Sequence, residues 1–169
     1  MRLALILVSM LASAATAEEP PAPADVAALE TCMAEQLPAT DRAEAACIRR
    51  LAEPCMGTAE GGTTLGTVDC LFAESAAWDV ILNADWPELM ARARSTDASY
   101  AGVDPPPPSA AKTLRTAQRA WLVWREAECA ARAAEWGNGS LRHVIYADCW
   151  LNLTGKRTIA LHARLREEP

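Results

Sequence analysis

Residues 109–136 read SAAKTLRTAQRAWLVWREAECAARAAEW, and this stretch decides the fold class. It opens on Ser109, a residue whose hydroxyl suits a helix N-cap, directly after four prolines that cannot continue a helix. It is rich in alanine and lacks the alternation of β-branched residues that marks a strand. Ala117, Ala120, Trp121, Trp124, Ala127 and Ala131 recur at i, i+3, i+4 and i+7 spacing. That period predicts a helix to about Trp136 with this apolar stripe against the core. Small alanines allow close helix approach, and Trp121 and Trp124 are expected to fill volume. Cys129 and Leu122 lie on another side, so a second flank is expected to be covered. Gln118, Arg125 and Arg132 form a polar line, expected to hydrogen-bond neighbouring helices rather than a ligand.

Outward from this helix, Gly137-Asn138-Gly139-Ser140 is a turn, and Ser140 is placed to cap a last helix to about Leu165. Upstream, Asp104 and Pro105–Pro108 end a helical stretch from about Thr67 to about Thr96. Pro87 is expected to disturb that stretch, as a kink or as a restart capped around Asp85. Nearer the N-terminus, Asp25 is positioned to cap a helix to about Leu37. Asp41-Arg42-Ala43-Glu44 resembles a capping box opening a second helix that ends before Pro54. The fold class is therefore all-α: a small, disulfide-stapled bundle of antiparallel helical hairpins.

The six cysteines support the hairpins. Cys32 and Cys47 flank the turn at Pro38–Asp41, Cys55 and Cys70 flank Gly61–Thr64, and Cys129 and Cys149 flank Gly137–Ser140. Residues equidistant from a turn meet at one level of a hairpin, and facing Cα atoms of packed helices come within disulfide range. The expected pairs are 32 with 47, 55 with 70 and 129 with 149, each closing a loop worth about 3 kcal/mol in the chain-entropy model. Reduction is expected to destabilise the fold substantially. No CxxC pair occurs, and neither His143 nor His162 has finger-like spacing from a cysteine pair, so no metal site is expected.

The N-terminus sets the expected compartment. Arg2 precedes the apolar run Leu3–Ala12, and Ala15-Thr16-Ala17 has the small-x-small form of a signal-peptidase site. Residues 1–17 read as a signal peptide cleaved near Ala17, residues 18–24 as a flexible Pro-rich leader, and residues 25–169 as one helical domain. The run is short of the roughly 20 apolar residues of a membrane span, so no stable membrane anchor is expected. The destination is periplasmic or secreted. An even number of cysteines, all beyond the cleavage point, suits an oxidising compartment.

Charge narrows the partner. The chain carries a formal −6, and losing Arg2 takes it to −7. Nucleic-acid binding rests on Lys and Arg neutralising phosphates, so no nucleic acid is expected. A basic protein is the electrostatically sensible partner.

A search for chemistry finds no catalytic residue. GxSxG, HExxH and Gly-rich phosphate loops are missing, so neither an enzyme nor a cofactor is expected. Glu126 and Glu128 point to different faces of one helix. Asp148 is expected in a structural salt bridge. His143 and His162 are expected at the surface or as caps. Of the six tryptophans, Trp78, Trp121 and Trp124 read as core, whereas Trp136 and Trp150 lie on the last hairpin as candidates for exposure.

The run Ala117-Gln118-Arg119-Ala120-Trp121-Leu122-Val123-Trp124-Arg125-Glu126-Ala127-Glu128-Cys129 resembles the AQRAWLxFRDAEC-type signature of the LprI-like lysozyme-inhibitor family. Cys149 with Leu153-Thr154, Arg157-Thr158 and Leu161 is similar to that family's closing C…T..R…L pattern. Leu82-Asn83-Ala84-Asp85-Trp86 is similar to its LNxxY element, with Trp86 where Tyr is usual. The resemblance spans roughly residues 66–166. It implies a small exported helical domain with a Cys129–Cys149 bridge. Gln118, Trp121, Arg125 and Arg157 then read as a folding signature, so no binding residue is assigned from it. The functional expectation is an exported protein-binding module, with inhibition of a basic lysozyme implied by the resemblance. The alternative is a periplasmic stress or envelope-associated helical protein with a different protein partner. Pro87, and the lack of the lipoprotein cysteine of the family's namesake, are the departures.

Overall fold

The computed structural model describes residues 21–36 and 45–166. Its elements are α1 (Pro23–Glu35), a 3-10 turn (Ala45–Cys47), α2 (Ala52–Met56), α3 (Thr64–Ser99), α4 (Ala110–Ala134) and α5 (Leu141–Arg166). Among the described residues there is no strand, and no helix is long and apolar enough to cross a membrane. The fold is all-α with disulfide staples.

Local chemistry explains where the long helices start. Thr63 caps α3, its Oγ1 accepting from the Gly66 amide at 3.0 Å. Ser109 caps α4 by accepting from the Lys112 amide at 3.2 Å. Asp97, near the end of α3, accepts from Ser109 Oγ at 2.7 Å and from the Ala111 amide at 3.2 Å. One helix end thus closes the next helix beginning. α5 starts at Leu141, immediately after Ser140.

Cross-helix pairs give the topology. Asp97 meets Ala110 while Asp79 lies beside Arg125, so α3 and α4 run antiparallel. Arg125 meets Thr154 and Gln118 meets Arg157, so α4 and α5 are antiparallel too. Trp78 meets Thr158 and Asp85 meets His162, which makes α3 and α5 parallel. Each of these three helices touches the other two. One core cluster, including Leu29, Met33, Ile48, Leu71, Trp78, Ile81, Leu151 and Ile159, joins α1 and the 45–56 segment to α3 and α5. A second, including Leu82, Leu89, Met90, Leu114 and Leu161, fills the other end.

Three bridges fasten these parts. Cys129–Cys149 joins α4 to α5 with Cα atoms 5.4 Å apart. Cys55–Cys70 ties α2 to α3 at 5.8 Å, and Cys32–Cys47 ties α1 to the 3-10 turn at 5.9 Å. Between α2 and α3 the backbone folds so tightly that a Cβ on Gly61 would stand 2.0 Å from the Cys55 carbonyl oxygen. Only glycine permits that approach.

Several boundaries depart from the sequence expectation. α1 is capped at Ala22 with Pro23 in its first turn, and Asp25 sits inside that turn. Proline is pre-organised for the first helical turn, so the helix starts three residues earlier than a cap at Asp25 would place it. The expected helix from Asp41 to Pro54 does not run through: Asp41–Glu44 lies outside the described residues, and beyond it only one 3-10 turn forms before α2. Arg49 breaks the chain with φ +78°. Pro54 then lies within α2, in the first turn, where a backbone N–H has no helical partner to lose. Pro87 likewise lies inside α3, which continues past it without a restart. The carbonyl that loses its usual helical donor belongs to Asn83, an exposed residue where solvent is accessible.

Candidate functional site

The signature segment of α4 points inward. Ala111, Leu114, Gln118, Arg125 and Cys129 are its buried residues. Ala117, Ala120, Ala127 and Ala131, expected against the core, are exposed, and Trp124 is 48% exposed. The helix is therefore turned about a third of a revolution from the sequence reading. Alanine gains little by burial, whereas Cys129 must meet Cys149, and Gln118 and Arg125 have specific partners within the bundle. Those directional bonds decide the rotation. Leu122, expected on a covered flank, is 42% exposed.

Arg125 is the centre of the inward face. It is 6% exposed, and its Nη1 donates to Thr154 Oγ1 on α5 at 2.7 Å. The guanidinium lies over the Trp150 ring at 3.9 Å from its centroid and over Trp121 at 4.8 Å. Asp79 Oδ1 on α3 stands 3.7 Å away. Burial pulls the Arg125 pKa down, opposed by Asp79, and burial raises that of Asp79, opposed by Arg125. Below it, Arg157 Nε donates to Gln118 Oε1 at 2.9 Å, and the Arg157 guanidinium also lies over Trp121. Burial lowers the Arg157 pKa, with Arg164 adding to the effect. Trp121 thus lies within cation–π range of two guanidiniums, a favourable arrangement because the indole face is electron-rich.

A groove of about 390 Å³ opens over this network between α3 and α4, lined by Asp79, Leu82, Asn83, Trp86, Arg115, Gln118, Arg119, Leu122 and Arg125. Among the described residues, Asp79 is the single carboxylate in its lining. A glycosidase cleft uses two carboxyl groups about 5–9.5 Å apart. What the groove presents is hydrogen-bond donors and an aromatic wall. Among the described residues no three His, Cys, Asp or Glu side chains gather to hold a metal ion.

The remaining candidates fall elsewhere. Asp148 pairs with Arg49, a cation from the 48–51 turn rather than from a neighbouring helix. His162 Nδ1 stands 2.8 Å from Asp85 Oδ2, linking α5 to α3. Glu128 pairs with Arg132 along α4. Trp150 packs against Tyr146 and Arg125. Trp136 is 49% exposed at the tip between α4 and α5, beside Gly137 at φ +58° and Leu141 at 43% exposure.

Glu74 was missed by sequence reasoning. It is 1% exposed, yet its Oε1 accepts from the Arg49 amide at 2.7 Å and from Trp78 Nε1 at 3.0 Å. Its Oε2 accepts from the amides of Leu51 and Ala52 at 2.9 and 2.8 Å. A carboxylate on α3 thereby satisfies the first amides of α2 and the break at Arg49. Its sequence signal is one acidic residue amid the mostly apolar run from Cys70 to Trp78, one helical turn before Trp78.

The protein is an all-α fold stapled by three disulfides, with tryptophans and guanidiniums packed between α4 and α5. The family model described as Lysozyme inhibitor LprI matches residues 55–161, and the chain belongs to that family. It is also 30% identical over 92 residues to "Uncharacterized protein R02472" of Rhizobium meliloti (strain 1021), an alignment covering 54% of this chain and 66% of that relative. The match spans just under two thirds of the relative's length. No solved structure matches. The resemblance elements at 82–86, 117–129 and 149–161 converge in space: the first and second line the groove, and the third supplies Thr154 and Arg157 behind it.

Proposed function

We propose that this chain is an exported protein-binding module, its residues 25–169 forming one helical domain, that inhibits a basic lysozyme and catalyses nothing itself. The family match over residues 55–161 carries the reading. Three disulfides support an oxidising compartment. A formal charge of −6 favours encounter with a basic partner.

The contact we assign to lysozyme is the tip between α4 and α5. Trp136 and Leu141 project there beyond the Cys129–Cys149 staple. An exposed tryptophan on a braced turn contributes large contact area with little ordering entropy. The inward residues Gln118, Arg125 and Arg157 act by holding the helices that carry the tip.

The test is titration of the purified protein into a turnover assay of a c-type lysozyme at low and moderate salt. Dose-dependent inhibition that weakens with salt is expected, and Trp136→Ala should raise the half-inhibitory concentration by about 10-fold or more. Absence of inhibition at micromolar protein would remove lysozyme as the partner and leave an envelope protein with a different one. Inhibition unaffected by Trp136→Ala would move the contact away from the tip.

A further inference from the structure

The outer face of α4 has no partner within the described fold. Thr113, Thr116, Ala117, Ala120, Val123, Trp124, Ala127, Ala130, Ala131 and Ala134 are all exposed, and at 100° per residue they share one half of the helix surface. Apart from Lys112 at its edge, no charged residue of α4 interrupts that strip. Val123 is 71% and Trp124 48% exposed. The strip runs most of the 25 residues of α4, about 37 Å at 1.5 Å per residue. Its innermost track, Thr113, Ala117, Ala120, Trp124, Ala127, Ala131 and Ala134, alternates spacings of three and four, the period of a helix-pairing seam. A solvated helix face normally carries charge, so an uncharged face of this length marks a contact surface.

The charges beside the strip say what covers it. Along one border stand Lys112 and Arg119, then Glu126, so the border is basic toward the start of α4 and acidic further on. Among the described residues neither Arg119 nor Glu126 has an ion-pair partner. We propose that a second copy of this chain docks here, α4 against α4, antiparallel about a two-fold axis near residues 122–123. That axis places Arg119 of each copy opposite Glu126 of the other, twice, and brings the two Trp124 side chains together at the centre. In a parallel two-fold pair this border would lie on opposite sides of the seam in the two copies, so the Arg119–Glu126 pairs form only in the antiparallel arrangement.

The size of the contact sets its strength. A strip about 37 Å long and one helix wide, roughly 11 Å, buries on the order of 800 Å² in total, at the low end for specific association. Dimerisation is therefore expected at tens of micromolar, reversible on dilution. It leaves the tip at Trp136 outside the seam and stands apart from lysozyme inhibition.

Sedimentation equilibrium of the exported protein from about 1 to 200 µM reads this directly. The weight-average mass should rise toward that of a dimer, and Trp124→Glu should hold it at the monomer value with an unchanged thermal melt, since the residue is outside the core. Arg119→Glu alone and Glu126→Arg alone should each weaken dimerisation by about 10-fold, and the double exchange should restore it to within about 3-fold. A strictly monomeric protein at 200 µM would overturn the proposal, as would a double exchange no better than the single ones. A monomer whose lysozyme inhibition is lost on Trp124→Glu would overturn it too, assigning the face to the enzyme.

Discussion

Arg125 and Thr154, 29 positions apart, are joined by a 2.7 Å hydrogen bond through the middle of the α4–α5 pair. The bond lies between two indoles: Trp121 on the same helix as the arginine, and Trp150 one turn before the threonine. This unit converts a sequence signature into a fixed rotation of α4. A neutral or compact cation in place of the guanidinium cannot reproduce it, because the planar group stacks and donates at once.

Arg125→Ala is accordingly expected to lower stability by about 3–5 kcal/mol, since it removes a buried stacked cation and leaves Thr154 without its donor. Arg125→Lys should recover less than half of the loss, for the ammonium keeps the charge but not the plane. Urea unfolding followed by tryptophan fluorescence checks both. A lysine variant as stable as the parent would show that charge alone suffices.

Glu74 supports a second prediction. Its two oxygens receive three backbone amides and the Trp78 indole. Glu74→Gln replaces one acceptor oxygen by a donor facing N–H groups and should destabilise by about 2–4 kcal/mol. Because the amides belong to residues 49–52, hydrogen exchange should quicken there first, ahead of α4. Uniform acceleration across the chain would assign Glu74 a global role instead.

The sequence made the fold class legible because helices dominate and their stop signals are strong: Pro105–Pro108, Gly61-Gly62 and the Gly137 turn each end an element. Ser109 was readable as a cap because the capping bond is local. The rotation of α4 was not readable. Its apolar period marks an outer face, and periodicity reports which residues share a side, never whether that side meets the core or another molecule. The inward side is chosen by Arg125, Gln118 and Cys129, whose partners lie 29, 39 and 20 positions away. The 45–56 segment was misread for a similar reason. A carboxylate 22 residues beyond Ala52 terminates its amides, and no local pattern encodes that.

Gly155 gives a packing prediction. A Cβ there would lie 2.9 Å from Ile48 Cγ1 and 3.0 Å from its Cδ1, with Trp78 Nε1 at 3.4 Å. Gly155→Ala gains helix propensity of nearly 1 kcal/mol yet forces Ile48 aside, so a net loss of about 1–2 kcal/mol is expected. Shortening the neighbour with Ile48→Val should bring part of it back. Calorimetry on the two single variants and the double distinguishes this: simple additivity would mean that the two positions do not press on one another.

Asp97 carries the pH prediction. The Ser109 hydroxyl foremost, and then the amides of Ala110 and Ala111, hold its carboxyl below the ordinary value of 3.8. For an acid with a depressed folded value, the folded state favours the ionised form. Its contribution is complete above the unfolded value of 3.8 and fades as the pH falls through the lower folded one. Asp97→Asn removes that dependence while keeping an oxygen acceptor. The melting temperatures of parent and variant should therefore differ by a constant amount at pH 5–8 and converge below about pH 4. Other carboxyl groups titrate in the same range but do so in both proteins, so the difference isolates Asp97. A gap that persists unchanged to pH 2.5 would mean that the cap at the start of α4 acts through geometry, with no linkage to the charge on Asp97.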